Sequence, residues 1–201
     1  TTDDPTGPCN AAVDTMVLTI SPTATANAGN DASICSNGTY TLAGSIGGVA
    51  TSLTWTSSGT GTFSDATSAT AVYTPSAADI TAGSVTLTLT TDDPAGTCTS
   101  ATDSMDLTIT PLPTATAGGS QTICANVTAT VSGASATDGT ILWTTSGAGT
   151  FNDATLENPE YTPGAGDSGT TVTLTMTVTS NNSCGGTATA TYSVTVDGPP
   201  T

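Results

Sequence analysis

The sequence predicts an all-β fold, and three observations lead there. Apolar residues alternate with Thr, Ser or Asp at a period of two in Val85-x-Leu87-x-Leu89, Met105-x-Leu107-x-Ile109, Val172-x-Leu174-x-Met176-x-Val178 and Tyr192-x-Val194-x-Val196. Such runs are strands with one buried and one wet face. Thr fills about a quarter of the 201 positions, and a β-branched polar residue suits the outward side of a pleated strand. Gly-rich joints, Gly44-Ser45-Ile46-Gly47-Gly48 and Ser58-Gly59-Thr60-Gly61 among them, punctuate short strands at the spacing of a sandwich. No segment carries a helical period, and Ser76-Ala77-Ala78-Asp79-Ile80 has room for one helical turn at most.

Self-comparison divides the chain. Thr1-Thr2-Asp3-Asp4-Pro5 and Gly7-x-Cys9 return at Thr90-Thr91-Asp92-Asp93-Pro94 and Gly96-x-Cys98, and Asp14-Thr15-Met16-Val17-Leu18-Thr19-Ile20 returns as Asp103-Ser104-Met105-Asp106-Leu107-Thr108-Ile109. A more diverged copy follows. Ile34-Cys35 matches Ile123-Cys124, Leu53-Thr54-Trp55 matches Ile141-Leu142-Trp143, and Tyr73-Thr74-Pro75 matches Tyr161-Thr162-Pro163, all at an offset of about 88 residues. Residues 1–21 then read as the last strands of a preceding repeat, 22–110 as one repeat, 111–197 as a diverged one and 198–201 as linker. The chain reads as part of a longer tandem array. About seven strands per copy, with Trp55 or Trp143 on the third or fourth, is the immunoglobulin-like pattern. Pro at the joints, in Ser21-Pro22-Thr23 and Thr110-Pro111-Leu112-Pro113-Thr114, implies short, semi-rigid connections.

The five cysteines fit no zinc spacing, so an extracellular disulfide framework is expected. Each full copy holds one early and one late cysteine, which suggests Cys35 with Cys98 and Cys124 with Cys184. Cys9 aligns with Cys98, so its partner falls in the preceding repeat. The rival reading of Cys9 is a reactive free thiol, which nothing basic is present to activate.

Sixteen acidic residues against no Lys, Arg or His give a formal charge of −16. Without cations the chain cannot neutralise phosphates, which argues against nucleic acid and anionic lipid as partners. Without His or Lys it lacks the usual general bases and Schiff-base nucleophile, so no enzyme is expected. No run of eighteen apolar residues is available to span a membrane. One metal expectation follows from the expected disulfide: joining Cys35 to Cys98 would bring Asp31 towards Asp92 and Asp93, an all-oxygen set suited to calcium. The alternative is a solvated acidic turn at Asp92-Asp93-Pro94-Ala95-Gly96. No cofactor is otherwise required. Trp55 and Trp143 read as core anchors in preference to sugar-stacking platforms.

The segments AGNDASIC, TLTWTSSGTGTFSDATSATAVYTPSAADITAGSVTLTLTTDDPAGTC and DSMDLTIT resemble the long tandem repeats of giant Bacteroidetes cell-surface adhesins, the SprB type of gliding flavobacteria. The resemblance covers essentially the whole chain and is weaker in the second copy, which lacks the counterparts of Asp92, Asp93 and the Asp-Ser-Met triplet. It implies an extracellular location at a bacterial cell surface, export by type IX secretion, and a stalk or filament segment serving adhesion and gliding motility. Partners would be neighbouring repeats of the same chain, with an unknown surface or glycan ligand bound through a distal region. The alternative is an array in which each module grips glycan or a partner. The resemblance also makes Asp14-Thr15-Met16 and Asp103-Ser104-Met105 candidate O-glycosylation triplets, with Thr15 and Ser104 as acceptors.

Overall fold

The computed structural model describes residues 6–8, 12–18, 20, 22–93 and 99–198. Two successive units share one plan. The first holds β1 (Thr25–Asn27), β2 (Ala32–Cys35), β3 (Tyr40–Thr41), β4 (Ser45–Gly47), β5 (Leu53–Ser57), β6 (Thr62–Phe63), β7 (Val72–Thr74), helix α1 (Ala77–Ala82), β8 (Ser84–Thr91) and β9 (Thr102–Thr110). The second holds β10 (Thr114–Thr116), β11 (Ser120–Cys124), β12 (Ala129–Thr130), β13 (Ser135–Thr137), β14 (Gly139–Thr145), β15 (Thr150–Phe151), β16 (Glu160–Thr162), a 3₁₀ turn (Ala165–Asp167), β17 (Thr170–Ser180) and β18 (Thr187–Asp197).

In each unit a four-stranded sheet, β2-β9-β8-β5 or β11-β18-β17-β14, faces a three-stranded one, β3-β7-β6 or β12-β16-β15, with a two-stranded ribbon, β1-β4 or β10-β13, beside them. The period-2 residues of the large sheet fill the space between. Leu87, Leu89, Met105, Leu107 and Ile109 close on Trp55 and Tyr73 in the first core, and Leu174, Met176, Val194 and Val196 close on Trp143 and Tyr161 in the second. Their Thr neighbours face water, as the alternation predicts. Both Trp side chains are 2 % exposed, and each indole N–H donates to a loop carbonyl, Ser68 at 3.1 Å and Leu156 at 3.0 Å. They are core anchors.

The single helical turn expected at Ser76–Ile80 is α1. Ser76 Oγ accepts the Asp79 N–H at 3.2 Å, the Asp79 carboxylate accepts the Ser76 N–H at 2.9 Å, and Gly83 closes the helix at φ 79°. That is a capping box and a left-handed C-cap. The second unit has Gly164 in place of Ser76 and keeps only a 3₁₀ turn.

Residues 12–18 and 20 form no strand, unlike the strands expected there. Met16, Leu18 and Ile20 are 88, 75 and 83 % exposed, whereas their sequence counterparts Met105, Leu107 and Ile109 are at most 2 % exposed. The reason is pairing. Strand β9 lies between β8 and β2, and among the described residues nothing offers 14–18 and 20 those two neighbours.

Candidate functional site: the junction between the two sandwiches

The first and last strands of each large sheet run parallel and end together. Cys35 lies opposite Thr110, and Cys124 lies opposite Asp197. Each unit therefore has a C-terminal pole carrying its early cysteine. In the second unit the hairpin carrying the late cysteine opens at the other pole, beyond Thr179↔Thr187. Strand β18 runs 11 residues from Thr187 to Asp197, roughly 33 Å at strand rise, and Cα atoms of a disulfide must come within about 7 Å.

This geometry corrects the expected pairing. Cys35 is bonded to Cys184, 149 residues on, with Cα atoms 5.6 Å apart, so the bond joins the C-terminal pole of one sandwich to the hairpin of the next. The expected Cys124–Cys184 pair would have to span the length of the second sandwich, and the expected Cys35–Cys98 pair is ruled out because Cys35 is already bonded to Cys184. Cys124 is free and exposed, and Cys9 and Cys98 lie outside the described residues.

Polar contacts tighten the same junction. Asn182 Nδ2 donates to the Pro111 carbonyl at 2.9 Å, while its Oδ1 accepts the Cys184 N–H at 3.0 Å. Cys184 Sγ lies 3.7 Å from the Thr110 carbonyl oxygen. That same oxygen accepts the Ser36 N–H at 2.9 Å, and Ser36 Oγ accepts the Leu112 N–H at 3.3 Å. The Pro-rich connection is thus held by the hairpin above and the turn below. One asparagine both shapes the hairpin tip and reads the linker backbone.

The three carboxylates expected to share a cation are not brought together. Asp31 accepts the Asp106 N–H at 2.9 Å, partway along β9. Asp92 accepts the Thr51 hydroxyl at 2.6 Å and the Thr51 and Ser52 N–H groups at 2.9 and 3.1 Å, contacts that hold its carboxyl below the usual range. Asp93 is exposed. Among the described residues no three Asp, Glu, His or Cys side chains stand close enough to hold a metal ion, and the premise for a site here, a Cys35–Cys98 bond, is gone. Of the two glycosylation candidates, Ser104 is exposed on the outer face of β9 opposite Thr88, and Thr15 is exposed in the N-terminal segment.

A second feature recurs in both units and went unread in the sequence. Asp79 and Asp167, each 2 % exposed, receive the hydroxyls of Tyr73 and Tyr161 at 2.8 and 2.7 Å. Asp79 also accepts the N–H groups of Thr60 and Gly61 at 2.9 and 2.8 Å, and Asp167 accepts those of Ala148 and Gly164, both at 2.7 Å. Burial alone would push the Asp79 carboxyl up, but the Ser76 and Thr60 N–H groups and the Tyr73 and Ser76 hydroxyls hold it at about 2. Asp167 is lowered in the same way. The Gly-rich joint at 58–61 and its counterpart at 146–149 leave room for this cradle: a Cβ at Gly61 or Gly149 would sit 2.5 Å from the Tyr hydroxyl. The readable signal was Tyr-Thr-Pro followed by Asp six residues after the Tyr, in both copies. An open depression of about 480 Å³ beside Asp167 therefore presents a carboxylate whose acceptors are already taken.

The fold is an immunoglobulin-like β-sandwich, repeated. Among solved structures, the insect immune protein hemolin aligns at TM-score 0.54 with 13 % identity, over 85 % of this chain and 46 % of hemolin. The protocadherin gamma B4 extracellular domain aligns at 0.47 with 16 % identity over 89 % of this chain and 35 % of its own. Drosophila N-cadherin EC1-4 aligns at 0.47 with 12 % identity over 88 and 50 %. The hemolin likeness shows the fold and nothing finer, and the chain spans about half of hemolin's length or less of the larger structures. No protein-family model matches the chain, and no curated protein matches it.

Proposed function

We propose that this chain is a structural segment of a long extracellular adhesin or filament, in which sandwiches joined head to tail form a stalk. The observation that carries the reading is the junction itself: a disulfide from Cys35 to Cys184 and the Asn182–Pro111 bond lock consecutive sandwiches pole to pole. A stalk needs that stiffness at its joints, and a set of independent binding modules does not. Adhesion is consistent with hemolin, whose structure was described with implications for homophilic adhesion. A bacterial cell surface, type IX secretion and a part in gliding motility rest on the repeat resemblance alone.

The rival reading, an array of glycan- or partner-gripping modules, has no exposed aromatic ring to support it. None of the eight aromatic side chains is exposed, and sugar recognition commonly uses an exposed ring. Small-angle scattering of the oxidised chain decides the matter. An end-to-end pair should give a rod of roughly 80 Å for the two sandwiches, from strand length alone, and a compact side-by-side pair would end the stalk reading.

A further inference from the structure

We infer that Cys124 is the socket for the hairpin cysteine of another copy of this repeat, so that the array is stapled by disulfides between copies and by none within them. The inference rests on the stalk reading and names its covalent joint. Its first support is that the socket exists twice, and one of the two is filled. Cys35 ends β2 one residue after the Ile34↔Ile109 pair, and Cys124 ends β11 one residue after the Ile123↔Val196 pair. Both strands then enter the same turn, closed by Gly38 N–H to the Cys35 carbonyl at 2.8 Å and Val127 N–H to the Cys124 carbonyl at 3.0 Å. At the first socket the cysteine is bonded to Cys184 of the following unit. At the second it is exposed and unpaired, with Val127 47 % exposed beside it.

The second support is the cysteine count. Cys9 and Cys98 occupy the same place in the repeat as Cys184. If every early cysteine bonds the late cysteine one copy on, then Cys124 reaches forward while Cys98 and Cys9 reach back. All five cysteines are then accounted for, and the odd number needs no reactive thiol. The third support is the segment 14–20, whose bare Met16, Leu18 and Ile20 match the buried face of β9; it has the composition of a last strand whose own sandwich would carry the socket for Cys98. Chemically, two thiols give up two protons and two electrons to form the bond, and a small-molecule disulfide accepts the electrons and is itself reduced to two thiols.

The test is the full chain extended after residue 198 by a second copy of residues 111–198, with Cys9→Ser and Cys98→Ser removing the other late cysteines, refolded in a glutathione redox buffer. Alkylation of free thiols and mapping of linked peptides should find Cys35 bonded to Cys184 and Cys124 bonded to the appended copy's counterpart of Cys184. One free thiol should remain, on the appended copy's counterpart of Cys124. Adding Cys124→Ser should free that late thiol and leave the Cys35–Cys184 bond intact. A fully alkylated Cys124 beside an intact Cys35–Cys184 bond would overturn the inference, as would a bond between the two cysteines of the appended copy. Failure of the stalk reading looks different: scattering would report side-by-side sandwiches whichever bonds had formed.

Discussion

A carboxylate taken out of water must collect donors in exchange, and Asp79 collects three backbone N–H groups and a phenol hydroxyl. Asp79→Ala strips the partner from all four and should cost on the order of 3 kcal/mol, because buried donors left unpaired are expensive; urea unfolding of the full chain reads it. The pH dependence has a definite sign. The carboxyl sits at about 2 when folded and near 3.9 in an unfolded chain, so the unfolded state takes up the proton first as pH falls. The stabilisation is complete above about pH 4 and drains away towards pH 2. Asp79→Asn should flatten that acid limb, and an unchanged slope between pH 4 and 2 would remove Asp79 as its source. The Gly61→Ala change attacks the same cradle from the other side, since its Cβ would sit 2.5 Å from the Tyr73 hydroxyl, and should also destabilise.

At the scale of elements, the hairpin at β17–β18 and the turn after β2 act as two halves of one clasp. Cys35→Ser and Cys184→Ser break a single bond, so each should destabilise equally and the double variant no further, a non-additivity that denaturant titrations measure directly. Cys124→Ser should leave the stability of the chain unchanged. Pairing within copies would instead make Cys184→Ser and Cys124→Ser equivalent. The strand-like segment at 14–18 should exchange its amide hydrogens quickly while Met105–Ile109 is protected, since β9 has neighbours on both edges and 14–18 has none among the described residues. Much of this scale was legible beforehand. Period-2 alternation is local and placed the long strands; the Trp positions and the capped turn at Ser76 are local too. The disulfide partners were not legible, because they depend on which pole each strand ends at. That follows from the parallel pairing of β2 with β9, a long-range fact that no spacing reveals. The expected grouping of Asp31 with Asp92 and Asp93 was misplaced for the same reason, having been built on the wrong bond. The Asp79 and Asp167 cradles needed the loops at 58–61 and 146–149 to fold over carboxylates 18 or 19 residues further on.

Over the whole molecule, sixteen carboxylates face no side-chain cation, so long-range electrostatics oppose compaction and salt should help by screening. Because Asp31, Asp92 and Asp93 are held in separate places, calcium and magnesium at equal ionic strength should raise the melting temperature alike; a calcium-specific rise would point to a site elsewhere in the chain. The central claim is that the two sandwiches are joined pole to pole by a bond between copies, and disulfide mapping tests it most directly. A chain without Lys or Arg offers trypsin nothing, but cleavage before Asp separates all five cysteines onto different peptides. Mass spectrometry of the unreduced digest should find the peptide beginning at Asp31 linked to the one beginning at Asp167. Linkage of the Asp31 peptide to the Asp93 peptide, which carries Cys98, would contradict the account.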